Sequence, residues 1–258
     1  MNLKQIINKS VYGTIGYVSS QDDLDLLEQY ILNNLKVLKE FKQILIATNY
    51  KNYPELVKEN TDLWKKYFPN CITLDSEFNR KSQIGTSDLD NSIFNYCKIN
   101  NIEWLCKASN DVILHEFLLD KEIEKSDFYY TNGIGYGRML DWDFDYERII
   151  KDTFYPQTNF YIINVSKCDY LVDLKKLEPL WEKYKNNISN LRGYNCENNL
   201  MECVERNKLH KYNLVPQNKF IMLLDIIKNH QLHDPSHKNI LIEGICHLQY
   251  PNQPVIKI

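Results

Sequence analysis

Apolar and polar positions succeed one another regularly along the first 115 residues of the chain. Short runs rich in β-branched and aromatic residues predict strands at 12–19, 43–48 and 71–75, and a fourth strand with its exit over 104–114. Between these runs, apolar residues recur at spacings of three and four, as in Leu24, Leu27 and Ile31, which predicts helices with one apolar face. The β-α-β-α-β-α-β order predicts an α/β fold, a Rossmann-like, mostly parallel sheet with helices on both faces.

Capping residues predict where these helices begin. Ser20 is followed three positions later by Asp23, a spacing that is typical of a capping box. Ser87 and Asp90 repeat this spacing and predict the start of the helix before the fourth strand. Pro54 predicts the first turn of the helix between them.

The pattern changes after residue 115. It predicts strands at 127–131 and 159–166, helices at 174–190 and 196–208, and a last strand that contains His247. Residues 219–228 are apolar enough for a helix or a strand, and the helix is the favoured interpretation. No repeat or flexible linker divides the chain, so we expect one domain over residues 1–258, whose C-terminal half adds strands and helices to the sheet.

Composition narrows the possible partners. The net charge of −3 argues against broad binding to nucleic acid or an anionic membrane, because phosphates are neutralised by clustered Lys and Arg. The seven cysteines are scattered without a CxxC pair, which indicates reduced thiols and a cytoplasmic protein. No apolar run approaches the roughly 18 residues of a membrane span, and the N-terminus does not resemble a signal peptide.

Polar residues end every predicted strand of the first half. Because the carboxyl ends of parallel strands meet at one edge, where ligands bind, we expect these residues to line a ligand cleft. They are Ser19-Ser20-Gln21, Thr48-Asn49-Tyr50, Asp75-Ser76-Glu77 and Ser109-Asn110-Asp111. Asp111 offers the hard oxygens that Mg²⁺ or Mn²⁺ prefers beside a diphosphate, although an Asp in a turn is the simpler interpretation.

The fourth strand and its exit read WLCKASNDVIL. This segment resembles a strand of the GT-A-fold glycosyltransferases, which belong to the nucleotide-diphospho-sugar transferase superfamily. In one branch of these enzymes the strand reads roughly W-x-x-K-x-D-D-D-V. The present segment keeps the Trp, the Lys, the last Asp and the Val. Ser109 and Asn110 stand where the first acids would be, so the Asp-x-Asp motif is degenerate. The segment GYVSSQDDLDLLEQYI is similar to the first strand and helix of these enzymes, and GTSDLDN to their G-x-x-x-A-x-N segment.

This resemblance implies a glycosyltransferase that moves a sugar from a nucleotide-diphosphate donor to a hydroxyl acceptor, such as a glycan or polysaccharide. Residues 1–115 would form the nucleotide-binding half and residues 116–258 the acceptor side. Lys107 and Arg80 are candidates for neutralising the leaving diphosphate. The expected donor-binding residues are Ser19, Gln21, Asn49, Arg80, Asp88, Asn91, Lys107, Ser109 and Asn110.

The resemblance also implies a divalent metal, Mg²⁺ or Mn²⁺, with Asp111 and the late His247 as ligands. One carboxylate can hold such an ion together with diphosphate oxygens and water. Transfer without a metal remains an alternative.

Three carboxylates are candidates for the catalytic base. Asp141 and Asp143 belong to an acidic aromatic segment, and in an extended chain their side chains would share one side. Glu197 lies near the N-terminus of a predicted helix, as the catalytic acid does in several of these transferases. A solvated acidic loop and a helix-dipole acid are the simpler interpretations.

Two other functions fit parts of the sequence. A nucleotide-sugar or glycan-binding module without catalysis is favoured by the missing first acid. A nucleotidyltransferase would be expected to carry a basic, glycine-rich loop after the first strand, whereas residues 19–23 read SSQDD.

Overall fold

The computed structural model describes residues 1–16, 18, 20–48, 54–76, 80, 82–132, 154, 156–187, 194, 196–216, 218–219, 239–247 and 255–257. In chain order its elements are α1 (Lys4–Ile7), β1 (Ser10–Ile15), α2 (Gln21–Leu38), β2 (Ile44–Thr48), α3 (Pro54–Tyr67), β3 (Ile72–Asp75), α4 (Ser82–Ile99), β4 (Trp104–Ala108), β5 (Val112–Leu114), β6 (Phe128–Asn132), β7 (Pro156–Asn164), α5 (Leu174–Tyr184), α6 (Cys196–Arg206), β8 (Lys211–Asn213), β9 (Asn239–Ile242), β10 (Ile245–His247) and β11 (Val255–Lys257). Short 3₁₀ helices lie at Glu116–Asp120 and Val165–Lys167.

Within the described ranges, the main sheet has the strand order β3-β2-β1-β4-β7-β6-β8. β1 pairs in parallel with β2 and β4, and β2 pairs in parallel with β3. β7 runs antiparallel to both of its neighbours, and β8 pairs in parallel with β6. The predicted Rossmann-like, mostly parallel sheet, extended by the C-terminal half, is confirmed.

The two faces of the sheet carry separate apolar cores, because neighbouring residues of a strand point to opposite sides. Cys106 of β4 packs into the core that contains Leu27 of α2 and Trp64 of α3. Leu105 packs into the other core, which contains Phe94 of α4. Helices therefore cover both faces, as predicted.

One predicted helix start is confirmed and the other is wrong. The Ser20 side chain accepts from the backbone N–H of Asp23, whose carboxylate accepts from the N–H of Ser20. Ser87, in contrast, lies inside α4, which begins at Ser82. Its hydroxyl donates to the carbonyl of Gln83 at 2.9 Å. A serine bonded in this way is tolerated within a helix, so its capping spacing was misleading.

The fourth strand and its exit, predicted over 104–114, contain a second short strand as well. β4 ends at Ala108, and a turn closes where the N–H of Val112 donates to the carbonyl of Ser109 at 3.1 Å. β5 then joins a second sheet, whose order is β11-β9-β10-β5. The turn lies at the predicted exit, Ser109-Asn110-Asp111, whereas β5, which spans only three residues, was not predicted as a separate strand.

The C-terminal tail forms a hairpin in place of the single predicted strand. Glu243 and Gly244 connect β9 to β10 with φ values of 50° and 88°, as a type I′ hairpin turn requires. β10, which ends at His247, is the predicted strand and pairs with β5. The helix predicted at 219–228 lies outside the described residues except for Lys219.

Candidate functional site

The carboxyl ends of β1 and β4 form the topological switch point of the sheet. These strands are neighbours, yet α2 leaves β1 on one face and α4 enters β4 from the other. Ligands of open α/β sheets bind in the crevice at this point. Gly16 follows β1 here, and a Cβ on it would lie 2.7 Å from the Ile46 side chain, so only glycine fits without a shift.

Asp111 ends the turn that follows β4. It is partly buried, and its Oδ1 is inaccessible to solvent. Burial raises the pKa of Tyr30 on α2, and the charge of Asp111 raises it further, so this carboxylate lies on the α2 side of the sheet. In the ladder between β5 and β10, Val112 is the register partner of His247. The backbone thus brings the two predicted metal ligands to adjacent positions.

Asn34 holds the strand that follows Asp111. Its side chain, fully buried on α2, donates to the carbonyl of Val112 at 3.2 Å and accepts from the N–H of Leu114 at 2.5 Å. Replacing Asn34 with alanine would leave both buried backbone groups unpaired. We expect a loss of about 2–4 kcal/mol in the free energy of unfolding, measured by urea denaturation.

Asn33→Ala is the matched control, since Asn33 is exposed on the same helix. An equal, small effect of both substitutions would show that Asn34 does not anchor β5.

Lys107 is directed into the fold on the opposite face. It is 1% exposed, and its ammonium donates to the carbonyl of Thr158 and to the Ser109 hydroxyl at 3.3 Å. Its Nζ also lies 3.5 Å from Oδ1 of Asp90, an ion-pair contact that is long for a hydrogen bond. The three donors of the ammonium are therefore directed at protein groups.

Asp90 is the acid that faces Lys107 from α4. It is 4% exposed, and burial raises its pKa to about 6. The nearby Lys107 opposes this rise, and the charge of Glu197 adds to it. Asp90 therefore changes its charge close to physiological pH.

Glu197 lies in the first turn of α6 and is partly buried. Its Oε1 accepts from the Thr158 hydroxyl at 3.0 Å, and its Oε2 accepts from the Cys196 thiol at 3.4 Å. Burial raises the pKa of Cys196 to about 12, so this cysteine remains a neutral thiol. Thr158 links the two charged groups, because its carbonyl accepts from Lys107 and its hydroxyl donates to Glu197.

Arg80 and Asp88 bind each other. The guanidinium donates to both oxygens of the carboxylate at 2.7 and 2.6 Å, and both side chains are buried. Burial raises the pKa of Asp88 even though Arg80 opposes the rise. Gly85 permits this arrangement, because a Cβ on it would lie 2.4 Å from the backbone oxygen of Arg80.

The remaining predicted residues are dispersed. Gln21 is exposed at the start of α2 and donates to Asp25 at 3.3 Å, whereas Asn91 is buried on α4. Ser109 and Asn110 are partly buried in the turn after β4. Ser19, Asn49, Asp141 and Asp143 lie outside the described residues.

Sequence reasoning did not identify Asp90 and Thr158 as parts of the site. One signal was available for Asp90: Lys107 shares a strand face with Leu105, and a lysine at such an inward position requires a buried partner. Thr158 contributes a backbone carbonyl and a hydroxyl, and neither group gives a signal in the pattern of apolar and polar residues.

The described side chains include no group of three or more His, Cys, Asp or Glu that could hold a metal. Asp111 and His247 would supply one carboxylate and one imidazole, a mixed set that suits Mn²⁺ better than Mg²⁺. One carboxylate and one imidazole would leave most positions around a divalent cation to a diphosphate and water. In the same part of the chain, no helix has the length and apolar character needed to cross a membrane.

No protein-family model matches the chain, and no curated protein matches its sequence. Among solved structures, it is similar to the 4-diphosphocytidyl-2C-methyl-D-erythritol synthase from Anaerococcus prevotii, with 16% identity, a TM-score of 0.44 and coverage of 83% of this chain and 90% of that one. It is also similar to a glycosyltransferase involved in glycosylating the major capsid of PBCV-1, with 11% identity, a TM-score of 0.37 and coverage of 79% and 80%.

Proposed function

We propose that the protein is a GT-A-like glycosyltransferase, which moves a sugar from a nucleotide-diphosphate donor to a hydroxyl of a glycan or polysaccharide. One observation carries the proposal: Asp111 ends the turn after β4 at the switch point, and the next residue, Val112, pairs with the strand that ends in His247. In this proposal, the single domain binds the donor with residues 1–115 and the acceptor with residues 116–258.

The donor diphosphate would lie across the ends of β1 and β4. The Ser109 and Asn110 side chains, which are partly buried there, would orient it with neutral polar atoms. Asp111 and His247 would hold a divalent cation, which neutralises the charge that develops on the leaving diphosphate. Lys107 pairs with Asp90, and Arg80 pairs with Asp88. Because both cations already neutralise protein carboxylates, this counts against transfer without a metal.

Glu197 is the base that the described geometry supports best. Its carboxylate is held by Thr158 at 3.0 Å while remaining partly accessible. It would accept the proton of the acceptor hydroxyl as the acceptor oxygen bonds to the anomeric carbon and the nucleoside diphosphate departs. Asp141 and Asp143 remain candidates for the same role.

A panel of nucleotide-diphosphate sugars, each with and without Mn²⁺, tests the proposal by thermal shift. A ligand that binds the native state raises the melting temperature by mass action. If no nucleotide stabilises the protein under either condition, the proposed donor site is wrong. The single carboxylate of the motif favours an alternative, a binding module without catalysis. Turnover of a stabilising donor would show that the protein is an enzyme and not such a module.

Substitution of Asp111 with asparagine should abolish the Mn²⁺-dependent part of the shift, because the one described carboxylate of the motif loses its charge. Asp120→Asn, at an exposed position, is the matched control. An unchanged response to Mn²⁺ in Asp111→Asn would remove Asp111 from the metal site.

A further inference from the structure

A small cavity with both polar and apolar walls adjoins Asp90 between α4, β7 and α6. Its volume is about 10 Å³, room for roughly one water molecule. Polar walls come from Ser87, Asp90, Thr158 and Asn199. Oδ1 of Asp90 forms no hydrogen bond within the described structure, so the ion pair with Lys107 is its main stabilisation.

Among the described residues, Lys107 connects two carboxylates. It reaches Asp90 through the ion pair and Glu197 through Thr158. Burial favours the neutral form of Asp90, and the nearby charge of Glu197 favours it further, whereas the ammonium of Lys107 favours the ionised form.

We propose that Asp90 is a positioning residue for Glu197: its ionised form holds Lys107 against the carbonyl of Thr158, which fixes the Thr158 hydroxyl on the Glu197 carboxylate. The inference rests on the proposed function, because it gives Glu197 the role of base. Protonated Asp90 releases the ammonium, so that Thr158 and Glu197 lose their fixed geometry.

The groups around Asp90 set the pH at which this happens. Lys107 faces it from β4, Tyr161 from β7, and Glu197 and Cys196 from α6. On α4 itself, Asp88 is held by Arg80. Burial raises the pKa of Asp90 to about 6, so the ionised, positioning form predominates above that pH.

This ionisation has a cost in stability. A pKa raised above the unfolded value means that the folded state binds more protons between about pH 4 and 6, so stability falls as pH rises through that window. A buried acid whose ionised form is destabilising at neutral pH is typical of a functional site.

Carbon-13 NMR of the carboxyl groups tests the coupling without any donor. We expect Asp90 to titrate near pH 6, and its pKa to fall in Glu197→Gln, because a charge that raises it is gone. Glu202→Gln is the matched control, exposed on the same helix and paired with Lys176. The same Asp90 titration curve in wild type and Glu197→Gln would overturn the inference.

Turnover measurements test the effect of Asp90 on catalysis. Asp90→Asn should lower kcat about tenfold or more, leave KM unchanged and remove the inflection near pH 6 from the pH profile. Asp62→Asn, an exposed acid on α3, should keep the wild-type profile. An Asp90→Asn variant that keeps the inflection would contradict the positioning role.

The NMR titration and the turnover assay distinguish failure of this inference from failure of the proposed function. NMR coupling without turnover of any donor would overturn the proposed function, and the role of Asp90 with it. Turnover with no coupling would leave the proposed function standing and overturn this inference alone. If Asp90→Asn fails to fold, the Asp90 titration in Glu197→Gln still decides the coupling.

Discussion

Replacing Arg80 with methionine is expected to lower the free energy of unfolding by about 3–5 kcal/mol, a large share of a typical total of about 5–15 kcal/mol. The side chains of Arg80 and Asp88 are only 4% and 1% exposed, so the substitution leaves a buried carboxylate without its charge partner. Burial already raises the pKa of Asp88, and Arg80 is the group that opposes the rise. The loss should therefore be smaller at acid pH, where Asp88 is protonated. Urea denaturation at several pH values measures both effects.

A second arginine of the chain provides the control. Arg206 also binds a carboxylate with two of its nitrogens, but its side chain is 28% exposed and that of its partner Asp169 is 44% exposed. Arg206→Met should therefore cost at most about 1 kcal/mol. Replacing Arg80 and Asp88 together with apolar residues should recover part of the loss. If both arginine substitutions lowered the free energy of unfolding equally, burial would not be the reason why the Arg80–Asp88 pair matters for stability.

Replacing Glu197 with glutamine is expected to lower kcat by about 10²–10⁴, the usual contribution of a general base and equivalent to about 3–5 kcal/mol in the barrier. Glutamine keeps the size of the side chain and can still accept from the Thr158 hydroxyl, but its neutral amide cannot take the acceptor proton. Donor affinity should therefore stay unchanged. Steady-state kinetics with a donor from the thermal-shift panel measures the loss.

Glu202→Gln serves as the control for this prediction also, because it neutralises an exposed acid of α6. If Glu197→Gln retains the wild-type rate, Glu197 is not the base, and the role passes to Asp141 or Asp143.

The sequence predicted the first half of the fold well because its signals are local. Apolar spacing and the capping box of Ser20 depend on residues within one or two turns of each other, so α2, α3 and the parallel strands were recognised. The errors occurred where tertiary packing decides. The polar residues 109–111 indicated where β4 ends, but nothing local indicates that Val112–Leu114 joins another sheet.

The candidate site shows the same limit. The polar ends of the strands could be identified in the sequence, and β4 does place Asp111 at the switch point. The partners of Lys107 could not, because Asp90 and Thr158 reach it only when α4 and β7 pack against β4. The sequence therefore indicated which side chains have the chemistry to bind a donor or a metal. Packing determined which of these side chains already bind one another.

NMR mapping of a nucleotide-diphosphate sugar on the protein locates the donor site directly. If the donor binds across the ends of β1 and β4, the largest changes in backbone amide shifts occur at Gly16, Ser20 and 109–111. Saturation of the protein with a stabilising donor that leaves these amides unchanged while residues elsewhere shift would contradict it.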